Sequence, residues 1–330
     1  MFWGRRLRVT FYRPEQGNTT AIVFDVNTLR NKRGYKITGT ITKEGWTMPP
    51  VADVDFYNLS SQEVAQIVSL RYVRNSDGSY SETPLAMKIE AGYINGDFGE
   101  IFNGQVLKPT QQKPDPNNNM LKIIAVQSYS LLSANSALTQ TFNDGLNFYE
   151  IANDLLKQGI SSNLGISTII SDSLRGFTVD GSFQPGNSVI EALKNIKQAT
   201  GYDYSISGST ITIDTLTNLF EGKQTIYNIN ADTGMVGIPS LSTDGISASS
   251  LLNHNLDILS LVRLNNGDIS IQQTDYLPNR EFGAWLDTDG VYVIVYLTHN
   301  FDTALGAFQT NIRCLSKSYL AYLTTTESEA

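Results

Sequence analysis

His254 and His299 are the only imidazoles in a chain of 330 residues, so a general base or metal centre would have to use one of them. His299-Asn-Phe-Asp302 supplies one pair of metal ligands, yet a zinc site takes three or four and no others follow at ligand spacing. Both histidines read as turn residues at strand ends, bonded to the backbone. The carboxylate pairs Asp53/Asp55 and Asp287/Asp289 are the candidates for acid–base chemistry. On an extended strand, alternate residues share a face about 7 Å apart, within the roughly 5 to 9 Å that glycoside hydrolysis uses. Alternation with Val51 and Phe56 makes the Asp53/Asp55 face a solvent face, however, and Asp289-Gly290 fits a hairpin turn before a strand. No serine sits in a Gly-x-Ser-x-Gly elbow, and there is neither a phosphate loop nor a dinucleotide fingerprint. The single Cys314 excludes an internal disulfide and a cysteine-based zinc site. Trp46, Trp285, Tyr292 and Tyr296 have the rings for a sugar-stacking platform, and we read them instead as core or interface residues. The expectation is a protein with no catalytic residues, no cofactor and no metal.

Composition points towards assembly. Hydrophobic residues make up 41% and aromatics 10% of the chain, enough for two or three packed domains. The load of Tyr, Phe, Thr, Val and Ile favours strands. The longest apolar runs, such as Val291–Leu297, are far too short to span a membrane. Met1-Phe-Trp-Gly-Arg-Arg lacks the apolar stretch of a secretory signal, so synthesis in a reducing cytoplasm is expected. Thr324–Ala330 alone reads as disordered. A net charge of −8 argues against general nucleic-acid binding. The first 43 residues nevertheless hold nine basic and two acidic side chains, a local charge of about +7, leaving about −15 for the remainder. That end is a solvated positive face, a docking surface for an acidic neighbour subunit or, least favoured, a nucleic-acid contact. Arg5, Arg6, Arg8, Arg30 and Arg33 are the candidate docking residues.

The elements that would carry such a surface are mostly strands. Leu7–Tyr12, Ala21–Val26 and Tyr35–Ile41 are strand-like, followed by Val51–Tyr57, a short helix opened by Ser60 and Glu63 at capping-box spacing, Leu85–Tyr93 and Ile101–Val106. Lys108–Asn119, with three prolines, reads as a long polar surface connection, and Leu121–Ser128 closes the sheet. From Leu132 the pattern becomes helical: Asn147–Gly159 with Ile151, Leu155 and Leu156 on one face, then a helix from a Ser188/Glu191 capping box to Gly201. A strand–turn–strand unit through Ile213 follows. Strands resume at Gly245, with a hairpin expected over Leu259–Gln273 and closing strands at Val291–His299 and Thr310–Ser316. Val126–Leu132 rhymes with Cys314–Leu320, and Gly245–His254 mirrors the strand that enters Asn58-Leu59. This is a weak internal repeat. The expected fold class is mainly β with a small α+β insert: a first barrel over residues 1–132, the insert over 133–216, and a connector with a second, related barrel over 217–330.

Val54-Asp-Phe-Tyr-Asn-Leu-Ser-Ser, Ile89-Glu-Ala-Gly-Tyr93 and Ile101-Phe-Asn-Gly-Gln-Val106 together resemble the first domain of bacteriophage baseplate hub proteins. Gly290–Thr303 and Phe308–Cys314 look like their closing domain, and Ser188–Leu193 with Gly201-Tyr-Asp-Tyr204 fits the insert. The resemblance covers nearly the whole chain, its specificity lying in order and spacing. It implies two tail-tube-like barrels per chain and a homotrimeric ring that adapts a hexameric tail tube to a trimeric spike. Phage DNA would only pass through its channel. It further implies a place in the virion's tail baseplate among tube, spike and other baseplate proteins, without membrane insertion. There is no room for a fused lysozyme or spike. The competing expectation is a carbohydrate- or receptor-binding β-protein of a phage tail or tail-like injection machine; third is a cell-wall hydrolase using an acidic pair.

Overall fold

The computed structural model describes residues 4–14, 21–27, 34–115, 118–129, 140–160, 166–207, 210–222, 225–242, 244–271 and 286–320. Strand alternation dictates its first β-unit. In Arg5–Tyr12, Leu7, Val9 and Phe11 point inward while Arg6, Arg8 and Thr10 point out. This strand lies between Ile22–Asn27 and Ala86–Tyr93, antiparallel to both. Val51–Tyr57 lies likewise between Lys36–Glu44 and Asn118–Val126. Helix α1, Ser61–Ser69, starts at the expected box: Ser60 accepts from the Glu63 backbone and the Glu63 carboxylate accepts from the Ser60 N–H. Its Ile67 joins a core around Phe11, Phe24 and Phe56. Leu252, Phe301 and Phe308 reach into the same core from the far end of the chain.

A second core gathers Leu216, Phe220, Ile246, Val262, Tyr292, Ile294 and Ile312, and a third holds the insert together. In the insert, α2 (Phe148–Gly159) and α3 (Val189–Thr200) bury Ile151, Leu155, Leu156, Val189, Leu193 and Ile196 as their apolar spacing requires. They face a three-stranded sheet of Ser167–Ile170, Thr210–Asp214 and Asp203–Ser207. Asn147 caps α2, and Gly201, at φ 73°, ends α3 in the left-handed conformation. Ser188 caps α3, but the Glu191 carboxylate bonds the Asn187 N–H, so the expected reciprocal box is half formed.

The two β-units form one sheet, running from Ser270–Ile271 at one end to Ile22–Asn27 at the other. The long strand Val291–Asp302 makes the join. Its first residues pair with Leu261–Arg263, and Tyr296–Asp302 pairs with Thr38–Glu44 of the first unit. At this seam Phe301 lies opposite Gly39, where an added Cβ would come within 2.6 Å of the ring and 2.7 Å of the Asp53 carbonyl oxygen. Gly39→Val should therefore cost about 2–3 kcal/mol by overpacking. A chemical-denaturation midpoint equal to that of the unsubstituted protein would show a seam loose enough to yield.

The ladders of the two units repeat in register. Ile41, Ala52, Ala125 and Val106 stand side by side on neighbouring strands of the first unit. Leu241, Ile246, Cys314 and Ile294 do the same in the second. All eight are buried. A register shift follows at once in both, between Val106 and Lys108 and between Ile294 and Tyr296. On the far side Ala86 pairs with Gln105 as Leu261 pairs with Val293. The ladder makes Ala125, not Val126, the counterpart of Cys314, which moves the sequence rhyme by one residue.

Three expectations are corrected. Leu259–Gln273 is no hairpin: Leu261–Arg263 pairs with Ile226–Asn228 and Val291–Val293, while Ser270–Ile271 pairs with Ser240–Leu241. The open edge of the long strand attracts the first segment more strongly than its sequence neighbour does. Residues 108–115 are strand, not loop, because their ladder with Asn118–Val126 runs out to Asp115↔Asn118. His299 sits within a strand that runs on to Asp302 across the seam, so it is no turn residue.

Candidate functional site

The carboxylate pairs are engaged in holding the fold. Asp53 and Asp55 do share the outer face of their strand, and the Lys122 ammonium lies 2.6 Å from Asp53 Oδ1 and 4.0 Å from Asp55 Oδ1. Burial raises the Asp55 pKa, with Asp53 adding to the rise and Lys122 opposing it. Asp287 accepts from the Lys317 N–H and the Ser318 hydroxyl, both at 2.7 Å. Asp289 bonds Lys317 Nζ and the Val291 N–H, and these bonds, the lysine's first, hold its carboxyl below the usual range. Gly290, at φ 67°, completes the turn. Each pair thus has a lysine ammonium beside it.

The histidines do not converge on a ligand set. His254 packs over Gly99, whose Cβ would meet its ring at 2.2 Å, and burial lowers its pKa. His299 is fully buried, with Nδ1 2.9 Å from the Thr310 hydroxyl. Asn253 N–H donates to that same oxygen, so the hydroxyl proton is free to point at Nδ1. Nε2 has no partner among the described residues. Among the described residues, no three His, Cys, Asp or Glu side chains group as a metal site, and no helix is long and apolar enough to cross a membrane.

Of the four aromatics, Tyr292 lies in the second core and Trp46 packs against it. Tyr292 is buried and its hydroxyl donates to Asn266 Oδ1 at 2.5 Å; Tyr296 lies under the Arg313 guanidinium. Trp285 lies outside the described residues. Trp46, in the turn after Lys36–Glu44, packs against the second core while its Nε1 donates to Asp203 Oδ2 of the insert at 3.0 Å. Its carbonyl accepts from Ile206 N–H. Next to it, Lys43 of the first unit bonds Asp257 of the second at 2.9 Å, and Ser207 of the insert donates to the other Asp257 oxygen at 2.6 Å. Sequence reading missed this three-way junction. Its members stand up to 214 positions apart, and nothing local marks them.

The basic end is built into the sheet. Arg6 and Arg8 both bond Asp25, whose carboxyl they hold below its usual range, Arg6 more strongly, and both guanidiniums lie over Phe98. Arg5 donates to the carbonyls of Asp302 and Gly306, tying the first strand to the seam. Arg30 and Arg33 lie outside the described residues. An open groove of about 580 Å³ runs over this outer face, lined by Arg8, Tyr12, Val23, Asp25, Lys88 and Asn103 among others. It offers charge and hydrogen-bonding groups.

A family model described as "Baseplate hub gp41" matches residues 7–268. The chain belongs to that baseplate hub family. This hub protein is therefore a structural component of a phage tail baseplate, as its resemblance implied. No curated protein sequence matches it. Its fold is shared with the 43 kDa tail protein of prophage MuSo2 from Shewanella oneidensis, at 11% identity over 95% of this chain and 98% of that one, with a TM-score of 0.54. A tail protein of Neisseria meningitidis MC58 matches at 8% identity, 95% and 97% coverage and a TM-score of 0.55. The Escherichia coli c3393 protein, a type VI secretion component described as structurally similar to the T4 tail proteins gp27 and gp5, matches at 8% identity, 85% and 73% coverage and a TM-score of 0.50. At these identities the likeness is one of fold, and it matches the mainly β architecture with a helical insert.

Proposed function

We propose that this hub protein assembles as a homotrimeric ring whose six β-units match a hexameric tail tube on one face and a trimeric spike on the other. The ring encloses part of the channel through which DNA passes, and it performs no catalysis. The observation that supports this most is the repeated ladder, with its shift at the same rung. Two equivalent units per chain turn threefold symmetry into an approximate sixfold. The functional division of the chain follows the proposed boundaries, 1–132, 133–216 and 217–330. Arg5, Arg6 and Arg8, with Arg30 and Arg33, are proposed to face an adjacent baseplate protein. In that setting the excess acid of the remainder keeps passing DNA from adhering.

Native mass of the purified protein tests the ring. The expected result is three times 36.4 kDa, with six similar lobes in projection images. A stable dimer or tetramer would overturn the trimeric reading.

A further inference from the structure

Within the chain, the β-units are stitched by one antiparallel strand pair, from Tyr296↔Glu44 to Asp302↔Thr38. In the repeat, Tyr296 corresponds to Lys108 and Ile41 to Leu241, by the rungs given above. Drawn between two copies, the same seam sets residues 108–114 of one against 238–244 of the next.

The donor edge is open. Pairing with Ala86–Tyr93 stops at Gln105, and beyond the shift the strand pairs only with Asn118–Val126 among the described residues. Thr110, Gln111, Gln112 and Lys113 are all exposed. Pro109 and Pro114 bracket them, so these four are the run that keeps every backbone N–H. Among the described residues, the receiving edge, Ser240–Ser242, pairs on this side with Ser270–Ile271 alone. Ser270 and Ile271 run parallel to it over two rungs, with one further bond from Ser270 N–H to the Pro239 carbonyl at 2.8 Å. Around this edge Ile271 and Ile238 are left 61% and 75% exposed.

We propose that Thr110–Lys113 of one copy adds as an antiparallel strand to Pro239–Ser242 of the next. The register is Thr110↔Ser242, Gln111↔Leu241, Gln112↔Ser240 and Lys113↔Pro239. Ser270–Ile271 occupies that edge in the isolated chain and is displaced on assembly. A protected edge of this kind keeps a sheet from pairing indiscriminately, and strand addition gives the neighbour main-chain hydrogen bonds in place of the strap's. The contact is head-to-tail, so it closes into a ring when the rotation permits. This inference rests on the ring reading and specifies its interface.

The test is a Gln112→Cys/Ser240→Cys variant, oxidised and resolved without reductant; Cys314 is buried and its thiol is held protonated by burial. A covalent trimer is expected. The Gln112→Cys/Leu241→Cys control, with its second cysteine on the core face, should give at least tenfold less. Ser270→Pro, which removes the strap's donor to Pro239, should raise the trimer fraction severalfold at fixed concentration. A trimer by mass without cross-linking, or equal linking in the control, overturns the register and leaves the trimeric reading standing. A Ser270→Pro protein that stays monomeric at every concentration overturns the strand addition. A stable dimer overturns the trimeric ring itself.

Discussion

Trp46→Ala should lower the unfolding free energy by about 3 kcal/mol, at the low end for a large-to-small change because the indole is only partly buried. The loss has two parts. The ring leaves a gap against the second core, and Asp203, 3% exposed, loses its Nε1 donor. Trp46→Phe separates them, since it keeps most of the apolar volume. Asp203 would retain Lys197 Nζ at 2.9 Å, so this variant should cost only about 1–2 kcal/mol. The bond from Ile206 N–H to the Trp46 carbonyl survives both changes. With the side chain gone, the insert should also unfold at lower denaturant than the sheet, splitting a single transition seen by near-ultraviolet and far-ultraviolet signals into two. Equal midpoints for Trp46→Ala and the unsubstituted protein would mean that the junction does not carry the insert.

What was legible in the sequence was what local rules control. Leu7, Val9 and Phe11 alternate with Arg6, Arg8 and Thr10, and period two leaves them no other arrangement. Ser60 with Glu63, Asn147 and Gly201 mark helix ends because caps are made by neighbours in sequence. Choices between distant strand edges were not legible. Leu261–Arg263 and Ser270–Ile271 look like two arms of a hairpin, and only the competing edges of Val291–Val293 and Ser240–Leu241 decide otherwise. Thr110–Lys113 looks like loop because a strand exposed on both faces needs no apolar residues. The resemblance to hub proteins carried the family, through the order of several loose motifs. Neither the Lys43–Asp257–Ser207 junction nor the matched ladder could be read without the registers.

Acid should destabilise this protein from about pH 6.5 downward, and His299 should account for much of it. Its ring is fully buried, and that burial, helped by the Lys43 and His254 charges and opposed by Asp257, pushes its pKa down to about 3. In the unfolded chain the same side chain takes a proton near its ordinary value of about 6.5. Between those values the unfolded state binds more protons, so stability is complete above pH 6.5 and falls as the pH drops towards 3. The slope approaches about 1.4 kcal/mol per pH unit, and the whole window is worth up to about 5 kcal/mol from this one group. Protonation would place a second cation beside Lys43, in the seam where Tyr296–Asp302 pairs with Thr38–Glu44, so the join between the β-units should give way first. His299→Asn keeps a polar atom near Thr310 and does not titrate. Its denaturation free energy, measured every half unit from pH 7 to 4, should fall much less steeply than that of the unsubstituted protein, even if it starts lower. Parallel curves would place the acid sensitivity in the carboxylates instead, in pairs such as Asp25 with Arg6 and Arg8 or Asp289 with Lys317.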